Sequence, residues 1–192
     1  EQPDEDLAAD MYEQTMTMME EAGFVQYEIS NWAISFEKAC RHNLQYWRYL
    51  PYLGFGAGAH GFMDATRTEN TGVIPGYIDR VGHGIASDFP AGPACERVTR
   101  LTGWDQVQEH MMVSMRMTAE GVSIDDFQDR YRVNIMVLFK EQISRLFKQG
   151  LLEYHAHGKG LRLTRKGRLF GNRVFAEFIG NPIPKGYERL NN

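Results

Sequence analysis

The chain has 192 residues, 43% hydrophobic and 12% aromatic, with 19 glycines and two cysteines. That content excludes a disordered chain, no apolar run reaches the length of a membrane span, and two cysteines exclude a disulfide-rich scaffold. The net charge of −4 hides an asymmetry, since residues 1–99 hold 15 acids against 6 Lys/Arg and residues 100–192 hold 10 against 15. Such a change of sign fits two modules facing different partners, or two halves that attract each other. Glu1-Gln2-Pro3-Asp4 lacks both an initiator Met and the pattern of a secretory signal, so a processed protein or an excised piece is expected, located in the cytoplasm.

Residues 4–22 read as a helix capped by Asp4, with Leu7, Met11, Thr15, Met18 and Met19 near helical spacing and Gly23 as its stop. Phe24 to Ile29 has strand composition and Ser30-Asn31 ends it, which makes one helix–strand repeat of an α/β architecture. An irregular aromatic stretch follows to Pro51. Then Tyr52-Leu53-Gly54-Phe55 reads as a short strand running into Gly56-Ala57-Gly58-Ala59-His60-Gly61. Residues 64–99 are rich in turn formers and read as a connection with a short helix near 76–81.

The second half reads differently. Trp104 to Thr118 forms a helix with Trp104, Val107, Met111, Met115 and Thr118 on one face, stopped by Gly121. Ser123 caps a helix through Tyr131, and Asn134 caps another through Gln149 with Val137, Leu138, Ile143, Leu146 and Phe147 inward. Leu151–Tyr154 and Gly160–Leu163 flank a turn as a hairpin. Thr164 opens a last helix carrying Leu169, Phe170, Val174, Phe175 and Phe178. This order is that of a winged-helix-like module. The methionines at 111, 112, 115 and 117 are expected in the core.

Four segments carry possible chemistry. In Cys40-Arg41-His42-Asn43-Leu44-Gln45-Tyr46-Trp47, His42 offers imidazole to a metal or haem iron, while Tyr46 and Trp47 offer flat faces to a conjugated ligand. A hydrogen-bonded structural histidine is the alternative, and Cys40 with His42 lacks the second pair of a zinc site. The glycines at 54, 56, 58 and 61 allow backbone to approach a ligand or simply make a tight turn; neither a phosphate loop nor a dinucleotide fingerprint follows. Lys159, Arg162, Arg165, Lys166, Arg168 and Arg173 form a basic run that suits phosphates, a solvated face or an acidic domain. His155 and His157 are either a metal pair or exposed turn residues.

Three ordered strings, Tyr27-Glu28-Ile29-Ser30-Asn31-Trp32-Ala33, Cys40 to Trp47, and Tyr52 to His60, together resemble the oxygen-independent coproporphyrinogen III oxidase-like family of radical SAM proteins (the HemN/HemW family). The His-Asn-x-x-Tyr-Trp element resembles its haem-chaperone branch rather than the true oxidase. Met115 to Val122 and Leu151 to Gly167 resemble the start and the hairpin of the family's C-terminal domain. The resemblance implies an α/β plus α+β chain: residues 1–63 as the end of a radical SAM (partial TIM-like) barrel, 64–99 as a connection, and 100–192 as a winged-helix-like C-terminal domain. It implies haem contact by His42 with Tyr46 and Trp47 lining the site, and S-adenosylmethionine near Gly56, Gly58, Ala59 and His60. It also implies the rest of the barrel, haem or porphyrin and a haem-acceptor protein as partners. The family's Cys-x3-Cys-x2-Cys motif for a [4Fe–4S] cluster is absent, and Cys40 and Cys95 do not replace it, so no radical chemistry is expected of this chain alone. True oxidase activity and a winged-helix module binding protein or nucleic acid, the latter unfavoured, stand as alternatives. Strands near 24–30 and 52–55 are expected to expose edges that pair with another copy, rearrange or lose order.

Overall fold

A computed structural model describes residues 4–84 and 88–191, so Glu1-Gln2-Pro3, on which the reading of the chain's start rests, lie outside the described residues. The chain divides into two compact units. One takes the described residues up to Arg48 together with Val107–Pro182, and the other takes Tyr49–Gln106 and the chain from Ile183.

The first unit opens with helix α1 (Glu5–Glu21), whose first turn is capped by the Asp4 carboxylate accepting from the Asp6 amide. Its buried residue is Met16, while Leu7, Met11 and Met18 are exposed. This corrects the expected stripe: Tyr12, Met16 and Met19 form the inward side, and the Leu7–Met11–Met18 side is bare. Strand β1 (Val25–Glu28) turns back at once into β2 (Asn31–Ala33), antiparallel, with Val25 opposite Ala33. Every strand pairing among the described residues is antiparallel. A seven-residue helix α2 (Arg41–Trp47) follows, with Leu44 buried beneath it.

The second unit is built on a three-stranded meander, β3 (His60–Met63), β4 (Thr66–Asn70) and β5 (Cys95–Arg100), in sequence order. Helix α3 (Ile74–His83) lies between β4 and β5 in the chain. Two sequence expectations change here. Tyr52–Phe55 is no strand; only Tyr52 bridges, to Phe62, because Gly54 closes on His60 so tightly that a Cβ would meet the His60 carbonyl oxygen. Residues 64–99 hold two strands beside the expected helix. Strand β4 buries two threonines, Thr66 and Thr68, and β5 (Cys95 to Arg100) is largely exposed, so neither gives an apolar alternation to read.

Helix α4 (Gly103–Ser114) ends four residues before Thr118, but the expected face is right: Trp104, Val107, Met111, Met115 and Thr118 are all buried. In the first unit it is followed by β6 (Val122–Ser123) and α5 (Ile124–Tyr131), the latter capped by the Ser123 hydroxyl as expected. The long helix expected from Asn134 is two, α6 (Ile135–Leu138) and α7 (Lys140–Lys148), broken at Phe139. The break keeps Phe139, Ile135 and Leu138 buried and turns Val137 outward, against expectation. Strands β7 (Leu152–His155) and β8 (Gly160–Leu163) form the hairpin, and β6 adds to β8. The last helix is likewise two, α8 (Arg165–Leu169) and α9 (Gly171–Ala176), with Phe170 between them and exposed rather than inward. Gly167 permits this packing, because a Cβ there would lie 2.0 Å from the Leu151 carbonyl oxygen. Of the four methionines expected in the core, Met111, Met115 and Met117 are buried and Met112 is half-buried.

Candidate functional site

The backbone places His42 in the first turn of α2 with Cys40 as the capping position, both exposed. One turn on, the Tyr46 hydroxyl lies 3.2 Å from His42 Nε2, and the rings meet edge to face with centroids 4.9 Å apart. The helical spacing of four brings these two onto one face. Trp47 points elsewhere. It packs against the small core of Tyr27, Ala33, Ala39, Leu44 and Met117, and the Arg116 guanidinium covers its ring at 4.2 Å. Asn43 Nδ2 reaches the Tyr27 hydroxyl at 3.4 Å, and the Ser114 hydroxyl donates to the Trp47 carbonyl at 2.9 Å. The Arg48 guanidinium closes the helix by a two-pronged pair with Glu120, at 2.7 and 3.0 Å, which raises its already high pKa.

Beneath this helix lies a polar network that residue patterns did not single out. Glu28, fully buried, accepts from the Ser30 amide at 2.9 Å, from Asn31 Nδ2 at 2.5 Å and from Arg116 Nη2 at 3.3 Å. Next to it, Gln26 Nε2 donates to the Tyr12 hydroxyl at 2.7 Å, and the Gln26 amide oxygen accepts from Arg168 Nη1 at 2.8 Å. Burial raises the Tyr12 pKa, with the Gln26 bond opposing. The available signal was an acid closing a short strand that also holds Tyr27 and Val25; such an acid needs a cation or several amides when buried. Among the described residues, Trp47 Nε1, Arg116 Nε and Arg168 Nε are buried without acceptors.

In the other unit, the glycine loop is held by its own neighbours. The Gly56 amide donates to the Tyr77 hydroxyl at 3.1 Å, the Gly58 amide to the Thr71 carbonyl at 2.9 Å, and Asn70 Nδ2 donates to the Gly54 and Gly56 carbonyls. Gly56 (φ 108°) and Gly58 (φ 70°) both need the left-handed region, which explains those glycines. Ala59 donates to the Gly56 carbonyl, and His60 starts β3 exposed. Among the described residues no group of three His, Cys, Asp or Glu is placed to hold a metal ion. His155 ends β7 opposite Gly160 and His157 sits in the hairpin turn at φ 56°, so the first is a strand residue and the second a turn residue. No helix is long and apolar enough to cross a membrane among the described residues.

Comparison with known proteins adds five findings. Residues 101–170 match the HemN C-terminal domain family. The chain is 39% identical over 178 residues to Heme chaperone HemW of Bacillus subtilis (93% of this chain, 44% of that protein). It is 32% identical over 184 residues to Heme chaperone HemW of Lactococcus lactis (94% and 44%). A 59-residue stretch is 51% identical to the mouse protein Radical S-adenosyl methionine domain-containing protein 1, mitochondrial (31% of this chain, 13% of that protein). Among solved structures, the coproporphyrinogen III oxidase (HemN) of Escherichia coli, described as a radical SAM enzyme, superimposes with a TM-score of 0.67 at 17% identity. That match covers 93% of this chain and 42% of the other, and it speaks for the fold. The chain thus spans less than half the length of the curated relatives it matches.

Proposed function

Given that the chain belongs to the HemN/HemW family, with residues 101–170 as its HemN C-terminal domain, we propose that it serves in binding and delivering haem in the cytoplasm. The observation that carries this reading is the exposed His42–Tyr46 pair on α2, in a chain 39% identical over most of its length to a protein named a heme chaperone. Haem iron takes an imidazole nitrogen as axial ligand, and an exposed imidazole offers one without unfolding any backbone. The Tyr46 hydroxyl fixes the ring edge-on until the iron arrives, and Trp47, clamped under Arg116, anchors the helix from below. Haem is cargo here; the chain supplies ligand, orientation and a planar neighbour.

In the same reading, residues 1–63 are the end of a radical SAM barrel, 64–99 a connection, and 100–192 a winged-helix-like domain. The exposed Leu7–Met11–Met18 side of α1 is then a face for the rest of that barrel. Gly56, Gly58, Ala59 and His60 approach S-adenosylmethionine. The Gly56 and Gly58 amides are already engaged, so contact falls to the remaining backbone groups and to His60. An iron–sulfur cluster does not fit the residues present, since the sequence holds two cysteines, Cys40 and Cys95, where a cluster takes more thiolates. No step is therefore derived through it. A haem-acceptor protein is the partner that delivery requires.

Titrating haem into the wild type and into His42→Ala tests the proposal. A Soret shift that the variant loses is expected, with Tyr46→Phe keeping the shift at altered affinity. A Soret spectrum identical in wild type and His42→Ala would overturn it.

A further inference from the structure

Away from α2, three arginines from one short stretch of chain turn into a single cavity of about 590 Å³. Arg162 comes from β8, Arg165 and Arg168 from α8, and the facing walls from α1 and β1, all within the first unit. Two of the three cations already have carboxylates. Arg162 Nε lies 2.7 Å from Glu153, and Arg165 Nη1 lies 2.8 Å from Glu20. Arg168 has no carboxylate within ion-pair distance among the described residues. Its Nη1 is spent on the neutral Gln26 amide oxygen, and its Nε is buried with no acceptor among the described residues. Burial lowers its pKa from the usual value, and Arg162 and Arg165 beside it act in the same direction.

A desolvated guanidinium keeps its charge in proteins, so the cost of that arrangement falls when an anion arrives. With Nη1 occupied, the edge of Arg168 that carries Nε is the one that takes a carboxylate side-on, in the two-pronged geometry that favours arginine over lysine. The cavity is not polar throughout: buried Met16 and half-buried Phe24 and Trp32 line it as well. Charge on one wall and flat apolar surface on another suit a ligand with the same division.

We propose that this cavity binds the carboxylate-bearing edge of a planar, apolar ligand, with Arg168 as the direct carboxylate partner and Arg162 and Arg165 supplying the surrounding positive field. The anion follows from the cavity; the choice of a tetrapyrrole as the planar body rests on the haem reading above. Among the described residues, the lone carboxylate lining the cavity, Glu20, is tied to Arg165 and leaves Arg168 available.

The test uses metal-free mesoporphyrin IX, its dimethyl ester and inorganic phosphate as probes, read by porphyrin fluorescence. The free acid is expected to bind wild type at least about tenfold tighter than the ester, and Arg168→Gln to remove that advantage, in line with the cost of losing a buried charge partner. Arg168→Lys should restore only part of it, and Arg162→Gln, which leaves the Gln26 contact intact, should weaken the acid selectively. Equal binding of acid and ester by wild type would overturn the proposal. So would wild-type affinity in a folded Arg162→Gln and a folded Arg168→Gln. Displacement by phosphate with no porphyrin selectivity would overturn the planar-carboxylate assignment. Because these porphyrins carry no iron, the outcome is independent of the His42 Soret experiment, and either can fail without the other.

Discussion

Two regions of the first unit are held together by opposite means. From Val107 to Phe178 the interior is continuous apolar packing, with Met111, Phe127, Ile135, Phe139, Leu146, Leu161 and Phe178 all but inaccessible to solvent. Around α1, β1, β2 and α2 the apolar core is small, and the burden passes to polar contacts: Glu28 with Arg116, and Gln26 with Tyr12, Arg168 and the Thr118 hydroxyl. Apolar packing is non-directional and tolerates approximate fits, whereas a buried carboxylate accepts only the arrangement that satisfies it. The difference teaches that the back of the unit is self-sufficient. The front is a positioned piece, registered by charge and leaving the Leu7–Met11–Met18 side of α1 uncovered.

The comparison can be broken in four places. Phe139→Ala removes a fully buried ring packed edge-on against Phe178, and a loss of about 3–5 kcal/mol is expected in chemical denaturation; a loss below about 1 would deny the back region its apolar support. Arg116→Met strands the buried Glu28 carboxylate and should cost about 3 kcal/mol, with Glu28→Gln in the double variant recovering part of it. Additive costs would show that the pair does not register the front.

Third, His110 gives the apolar region a pH signature. It is stacked on Phe127, with Nδ1 3.2 Å from the Tyr131 hydroxyl, and burial pushes its pKa down to about 3, aided by Arg130. Below the ordinary value near 6.5 the unfolded chain takes up a proton that the folded chain refuses until about 3. The stability from a neutral His110 is thus complete above about 6.5 and declines as pH falls through that window, by about 2 kcal/mol between pH 7 and 5. Denaturation at the two pH values, with His110→Gln as the flattened reference, measures it. Last and smallest, Met11→Lys should change stability by less than about 0.5 kcal/mol, because Met11 is largely exposed among the described residues. A larger loss would show the front to be packed after all.

The apolar half was the more legible in sequence for the same reason that it is self-sufficient. Helical spacing located the face from Trp104 to Thr118, and the Ser123 and Thr164 caps were readable from residue type. The breaks at Phe139 and Phe170 were not, since an unbroken apolar rhythm cannot show where the helix axis must bend to bury its neighbours. In the second unit, β4 and β5 passed as a connection because β4 buries threonines rather than apolar residues and β5 is largely exposed, which leaves no apolar stripe. On α1 the apolar residues pointed to the wrong side, since spacing finds a stripe and cannot say what covers it.

The candidate sites divide along the same line. His42 and Tyr46 were bound to share a face once α2 formed, because four residues make one helical turn, and ordered strings of residues carried the family resemblance. The glycine loop's need for positive φ was likewise written in its residues. Only the tertiary structure turned Trp47 inward beneath Arg116, buried Glu28 against that same arginine from 88 positions away, and gathered Arg162, Arg165 and Arg168 around one cavity. Those pairings depend on which surfaces meet, and a one-dimensional pattern records what each residue prefers, not where the folded chain brings it.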